Sequence, residues 1–241
     1  MDQTEPFRPL PDAWQGKQRK PTIILISSAL LCTTWRYFGR FPFYQQHLAP
    51  HLTMLGDPGA VGAVYTFFWS FLLLGLVPAL IVKFVFREKL ADYGVRLGNW
   101  RIALGWLALM APVWLVAAHL GSTNPHVVQW YPINRSAGQS PAMFGFHALT
   151  YLIFYMGYEF HFRGYVQFGL RESVGEMNAL LIQVVMTVLI HTGKPLPNEA
   201  FGSMFAGMLW GVLNFRARSL LPGLLQHFLL GISLDLFICL R

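Results

Sequence analysis

Charge is what this sequence has least of: only 12% of its 241 residues are Asp, Glu, Lys or Arg. Soluble domains of this size carry about 25%. With 54% hydrophobic and 15% aromatic residues beside it, too little polar surface is left to cover a water-soluble globule, so the solvent the composition fits is lipid. Cysteine is nearly absent as well. Cys32 and Cys239 sit in apolar runs toward opposite ends of the chain, where they read as small buried hydrophobes that say little about redox compartment. The formal charge of +7 comes without a basic patch interleaved with aromatics, which argues against a nucleic-acid partner.

Residues 1–20 are polar, hold three prolines and end in Lys17, Arg19 and Lys20. They read as a disordered basic tail. No small-residue cleavage site follows, since Thr34-Trp35-Arg36 comes next, so the first apolar run is expected to be a retained anchor. Apolar runs then cover about 22–38, 59–82, 102–120, 142–166, 177–190, 200–214 and 220–238. Each is continuous and none alternates, which in lipid leaves helices as the solution. The expected fold is therefore all-α, a polytopic bundle with about seven membrane segments, or eight. Residues 21–241 are expected to form one membrane-embedded domain.

An N-terminus on the cytoplasmic side puts twelve of the 18 Lys and Arg residues there, among them Lys83, Arg87, Lys89, Arg96 and Arg101. Five fall on the other side, and Arg163 stays inside a run. That bias orients the chain N-in, C-out, and the bilayer itself is its first partner.

Of the 11 acidic residues only Glu159 and Asp235 lie inside apolar runs. A carboxylate at that depth costs several kcal/mol unless it is paired or hydrated, so each marks a candidate working site. Arg163 follows Glu159 at i,i+4, and His147, Tyr151, Tyr155, Glu159 and Arg163 make an unbroken polar ridge on one helical face. A buried ion pair that merely fixes packing fits the Glu159–Arg163 spacing as well. His191 ends the fifth run and His227 lies within the seventh. A carboxylate and an imidazole sharing one water can divide the proton transfers of hydrolysis, and a second imidazole can donate to a developing oxyanion. Ser203, Gly207 and Gly211 form a small-residue ridge on the sixth run, expected to pack within the chain.

Glu159-Phe160-His161-Phe162-Arg163-Gly164, a His ending the next run and a His on the last together resemble the CPBP intramembrane protease family. That family includes type II CAAX prenyl endopeptidases and bacteriocin-processing or self-immunity relatives. The resemblance covers about residues 142–238, with an echo in the linker Leu90 to Leu97. It implies an intramembrane endopeptidase acting near the membrane-associated C-terminal part of a protein or peptide. In that reading Glu159 activates water with help from His191, Arg163 holds Glu159, and His227 faces the oxyanion. Tyr158, Lys194, Glu199 and Asp235 are the expected binding residues around it, Asp235 pairing with Lys194 or solvating the outer mouth. No metal and no cofactor are expected.

The chain departs from the family pattern at three places. Tyr158 stands where the first of two glutamates is usual, Thr187 where a Phe is usual, and Gly231 where Asn or Asp usually follows the last His. These features resemble a bacterial branch with a single-Glu motif, which implies the cytoplasmic (inner) membrane. Two other classes fit the residues: a non-catalytic membrane partner or scaffold that binds such peptides, and a proton-coupled transporter. Against the transporter, no inverted repeat or pair of broken helices is apparent.

Overall fold

Each apolar run becomes a helix, and polar residues just before the second, third and fourth supply side-chain caps. The computed structural model describes residues 14–52, 54, 56–192 and 198–241. Helix α1 spans Arg19–Phe38, and so starts inside the stretch read as a tail. Lys20, in its first turn, is anchored by a salt bridge to Glu88 at 2.7 Å. Helix α2 spans Pro58–Phe86. Asp57 caps it by accepting from the Ala60 N–H at 2.8 Å, with Pro58 pre-set for the first helical position. Helix α3 spans Trp100–Ser122 behind Asn99. Helix α4 covers residues 141–174, opened by Ser140, whose hydroxyl accepts from the Met143 N–H at 3.1 Å.

Gly175, at φ +83°, turns the chain from α4 into α5, Glu176–His191. Helix α6 is Asn198–Ala217 and α7 is Leu221–Cys239. The described residues contain no strand, so the all-α expectation holds. Among the described helices α2, α3 and α7 are long and apolar enough to cross a bilayer. Large apolar side chains such as Leu109, Val116 and Leu120 on α3 point outward, as they do where the surroundings are lipid.

Helix α4 is the axis of the bundle. It packs against α1, α2, α5, α6 and α7, while α3 lies along α7 and α5 along α6. Two close approaches set its position. A Cβ at Gly157 would stand 2.7 Å from the Phe71 Cα, so α2 and α4 cross backbone to backbone one residue before Tyr158. On α6, the Gly207 and Gly211 carbonyls accept from Gln183 Nε2 at 2.9 Å and Gln167 Nε2 at 2.8 Å. The small-residue ridge is therefore used inside the chain. Beyond Glu159 the helix widens into π-type turns over Phe160–Phe168, a form that recurs near functional sites.

The linker after α2 is laced to the α6–α7 turn. The Leu220 N–H donates to the Gly94 carbonyl at 2.9 Å, and the Ser219 hydroxyl donates to the Arg96 carbonyl at 2.6 Å. That lacing fixes where α7 enters the bundle, and so the height of His227 against α4.

Candidate active site

The polar ridge of α4 meets a second ridge that descends α7 at four-residue spacing: Gly223, His227, Gly231 and Asp235. The two run antiparallel and pair rung by rung. At the far end His147 Nε2 lies 2.8 Å from Asp235 Oδ2, both side chains fully buried. In the middle Tyr155 lies against Gly231, where a Cβ would fall 1.9 Å from the tyrosine hydroxyl oxygen. At the near end Glu159 Oε1 accepts from His227 Nδ1 at 2.7 Å and from Arg163 Nη1 at 3.1 Å. The Arg163 guanidinium in turn lies 5.7 Å from the centre of the Trp210 ring.

Two of these rungs change the sequence-based picture. Asp235 does not reach the outer mouth of a site. It is buried against His147, because the face of α7 that carries His227 carries Asp235 two turns later. Lys194, its other expected partner, lies outside the described residues. Glu159 is only 1% exposed. Its Oε1 is shared by two donors, and its Oε2 has no hydrogen-bond partner among the described residues and sits over Gly223, where a Cβ would fall 2.7 Å away. The edge Glu159 does present borders a largely apolar groove of about 440 Å³ between α2, α4 and α7, lined by Leu76, Met156 and Leu224 among others.

The polar space lies on the other side of His227. A cavity of about 90 Å³ is bordered by His227, His191, Glu199, Tyr131, Tyr155 and Tyr158, with Arg40 and Trp35 at its rim. His227 stands between the rings of Tyr155 and Trp210, at centroid distances of 4.5 and 4.6 Å. His191 reaches the cavity from the end of α5. Its Nδ1 lies 2.7 Å from the Thr187 carbonyl and 3.5 Å from the Tyr158 hydroxyl, and its Nε2 lies 3.9 Å from Glu199 Oε1. Glu199, in the first turn of α6, also accepts from the Tyr131 hydroxyl at 3.0 Å.

The structure thus brings together Glu159, Arg163 and His227 in one hydrogen-bonded unit, and His191, Tyr158 and Glu199 around one cavity. His227 is the residue common to both. The difference in depth between Glu159, midway along α4, and His191, at the end of α5, is spanned by Tyr158 and His227. Tyr131 is the member the residue pattern did not single out. It lies in the long connection 123–140, and no periodicity carries a loop residue to a site. The α7 ridge was present in the spacing of Gly223, His227, Gly231 and Asp235, but two of its four members are glycines and carry no polar signal.

These features define a class: an all-α integral membrane protein with a buried carboxylate–guanidinium–imidazole unit whose imidazole borders a small cavity lined in part by polar side chains. The family model for Type II CAAX prenyl endopeptidase Rce1-like proteins matches residues 140–232, from the cap of α4 into the second half of α7. Over that stretch the chain is similar to this family, in line with the resemblance its motifs carry. The stretch contains every residue of the two ridges except Asp235, and His191 and Glu199 as well. No curated protein and no solved structure matches the chain.

Proposed function

We propose that this chain is an intramembrane endopeptidase that hydrolyses a peptide bond in the membrane-associated C-terminal part of a protein or peptide. The observation that carries the reading is the position of His227, whose Nδ1 is held by buried Glu159 while its ring borders the polar cavity. An ionised carboxylate only accepts, so Nδ1 carries a proton and Nε2 is turned to the cavity. With the imidazole charged, Nε2–H donates to the oxyanion that forms when water adds to the scissile carbonyl. Glu159 offsets that charge and fixes the ring, as a carboxylate behind a catalytic imidazole does. Arg163 keeps Glu159 ionised between turnovers. The reaction is glutamate-dependent in this sense, with Glu159 acting through His227.

The Tyr155 hydroxyl supports the reading further. It fills the space a side chain at 231 would take, beside His227, and supplies a second donor to the same oxygen. The membrane arrangement completes it: residues 21–241 as one embedded unit with about seven segments and the N-terminus cytoplasmic. A second reading, a non-catalytic relative that binds membrane peptides, is favoured by Tyr158 at the position where the family resemblance expects a glutamate.

The experiment is direct. Full-length protein in lipid vesicles is incubated with membrane-anchored peptides, and the products are read by mass spectrometry. New termini that appear with wild type and vanish with His227→Gln support the endopeptidase. Peptide capture without new termini supports the binding relative.

A further inference from the structure

We propose that the apolar groove between α2, α4 and α7 binds an anionic phospholipid of the surrounding bilayer, with one acyl chain in the groove and the phosphate at Arg96.

The groove has the shape of a chain site. Phe71, Leu76 and Ala79 of α2, Met156 and Phe160 of α4 and Leu224 of α7 form its walls. Its volume is about 440 Å³, inside the ~300–1,000 Å³ range usual for small-molecule sites. From Phe71 to Ala79 it follows α2 for about 12 Å, at ~1.5 Å per residue. That is close to the ~15 Å that one leaflet contributes to a ~30 Å hydrocarbon core. Leu76 and Met156 line it and are also exposed, so the groove is open to its surroundings along one side.

Its end at the linker after α2 is positively charged. Arg96 lines the groove there, with Val95 and Leu97 exposed on either side of it. Arg96 Nε donates to the Arg218 carbonyl at 2.7 Å, and the Ser219 hydroxyl, on the same wall, donates to the Arg96 carbonyl at 2.6 Å. The Asn99 N–H donates to the Ala217 carbonyl at 2.8 Å. These three bonds draw the linker, the start of α3 and the end of α6 together, and with them the exposed Arg101, Arg216 and Arg218. None of the four arginines pairs with an acid among the described residues. Cations gathered at the edge of apolar surface attract an anionic headgroup. Beside them Trp100, whose ring centre lies 5.5 Å from the Arg101 guanidinium, is a side chain of the kind that settles at headgroup level.

The two halves of the site select together. A free phosphate satisfies the arginines and leaves the groove empty. A zwitterionic lipid fills the groove, but its own cation cancels much of the attraction at the headgroup. Only an anionic lipid matches both. Its chain also covers the edge of Glu159 that borders the groove, which keeps water from the carboxylate on that side.

The test places full-length protein in phosphatidylcholine vesicles that hold a small fraction of phosphatidylglycerol or phosphatidylcholine with a diazirine on one acyl chain. After illumination the labelled residues are mapped by mass spectrometry. The phosphatidylglycerol probe is expected to label Leu76, Met156 and Leu224 at least about fivefold more than the phosphatidylcholine probe, and Arg96→Gln to lower that label about fivefold, the factor one cation near an anionic surface contributes. Should Arg96→Gln lower the melting temperature, Arg218→Gln, whose side chain makes no bond among the described residues, is read in its place with the same expected direction. Leu76→Trp, at a position 41% exposed, should block the groove to both probes without a change in melting. Leu109→Trp on α3, outside the groove, is the control that keeps wild-type labelling. Equal labelling by the two probes, or groove labelling that survives Leu76→Trp, overturns the site. Displacement of the probe by an equal amount of a lipidated peptide overturns the bilayer lipid as occupant and assigns the groove to a substrate. Labelling is read without cleavage, so a failure here and a failure of the endopeptidase reading are told apart.

Discussion

The contact between Tyr155 and Gly231 can be tested by filling it. A Cβ added at Gly231 would lie 1.9 Å from the Tyr155 hydroxyl oxygen, 2.9 Å from Cζ and 3.3 Å from Cε2. Real carbon–oxygen contacts stand at more than 3 Å, so in Gly231→Ala the ring must move by more than an ångström or α7 must back away from α4. Both flank the buried Glu159–His227 bond. Overpacking of this kind costs about 1–3 kcal/mol. At about 2–4 °C per kcal/mol for a chain of this length, the melting temperature in detergent drops by about 5 °C. Tyr155→Phe removes the oxygen and leaves only the 2.9 and 3.3 Å ring contacts, so Gly231→Ala in that background should cost clearly less. The double-mutant cycle should show a coupling of about 1 kcal/mol or more. On activity, Tyr155→Phe alone should lower kcat by about 100-fold if the hydroxyl is an oxyanion donor. Thermal melts of the four proteins and cleavage rates in vesicles decide both points. Strictly additive melting shifts would refute the placement of the hydroxyl over Gly231, and full activity in Tyr155→Phe would refute its role as donor.

Glu159→Gln should lower turnover by at least about 100-fold while the protein still accumulates in the membrane, since the amide keeps the shape but holds the His227 ring less well; normal turnover would remove Glu159 from the mechanism. Arg163→Ala leaves a carboxylate that is 1% exposed without its guanidinium and held by His227 alone among the described residues, and should cost about 3–5 kcal/mol, read as early melting and loss of the protein from detergent extracts, whereas His227→Gln should lose cleavage with a small change in melting. Chelator-stripped protein with sub-stoichiometric zinc should cleave at the unstripped rate; activity lost on stripping and restored by zinc would reassign the histidines as ligands. Hydrogen bonds from Ser136 and the Ala60 N–H hold the Asp57 carboxyl below its ordinary value. Its contribution is therefore present above the unfolded value near ~4 and lost as pH falls through the lower folded value. Asp57→Asn should flatten the acid side of the melting-temperature profile, and an unchanged profile would show that the cap is not titrating there.

The sequence by itself determined the helices and the solvent. Continuous apolar runs broken by Gly, Pro and capping residues leave one answer in lipid, because every backbone N–H and C=O must be satisfied within its own segment. The Glu159–Arg163 pair was legible for the same local reason, since i,i+4 neighbours share a helical face whatever surrounds them. The matching spacing on α7 was equally local, although its glycines hid it. What α7 does with that spacing is a property of two helices. Only their antiparallel packing sets His147 against Asp235, Tyr155 against Gly231 and His227 against Glu159. The different exposure of the two glutamates was also decided there. Depth in an apolar run singles out Glu159, but depth is what takes it from water once α7 closes over it. Glu199 sits at the start of α6, where the family resemblance, and not its depth in an apolar run, marked it as an expected binding residue. It borders the cavity because α5 ends at His191 just where Tyr131 returns from the 123–140 connection. A residue's distance from water is set by what packs on it from elsewhere in the chain, and that is information no local pattern holds.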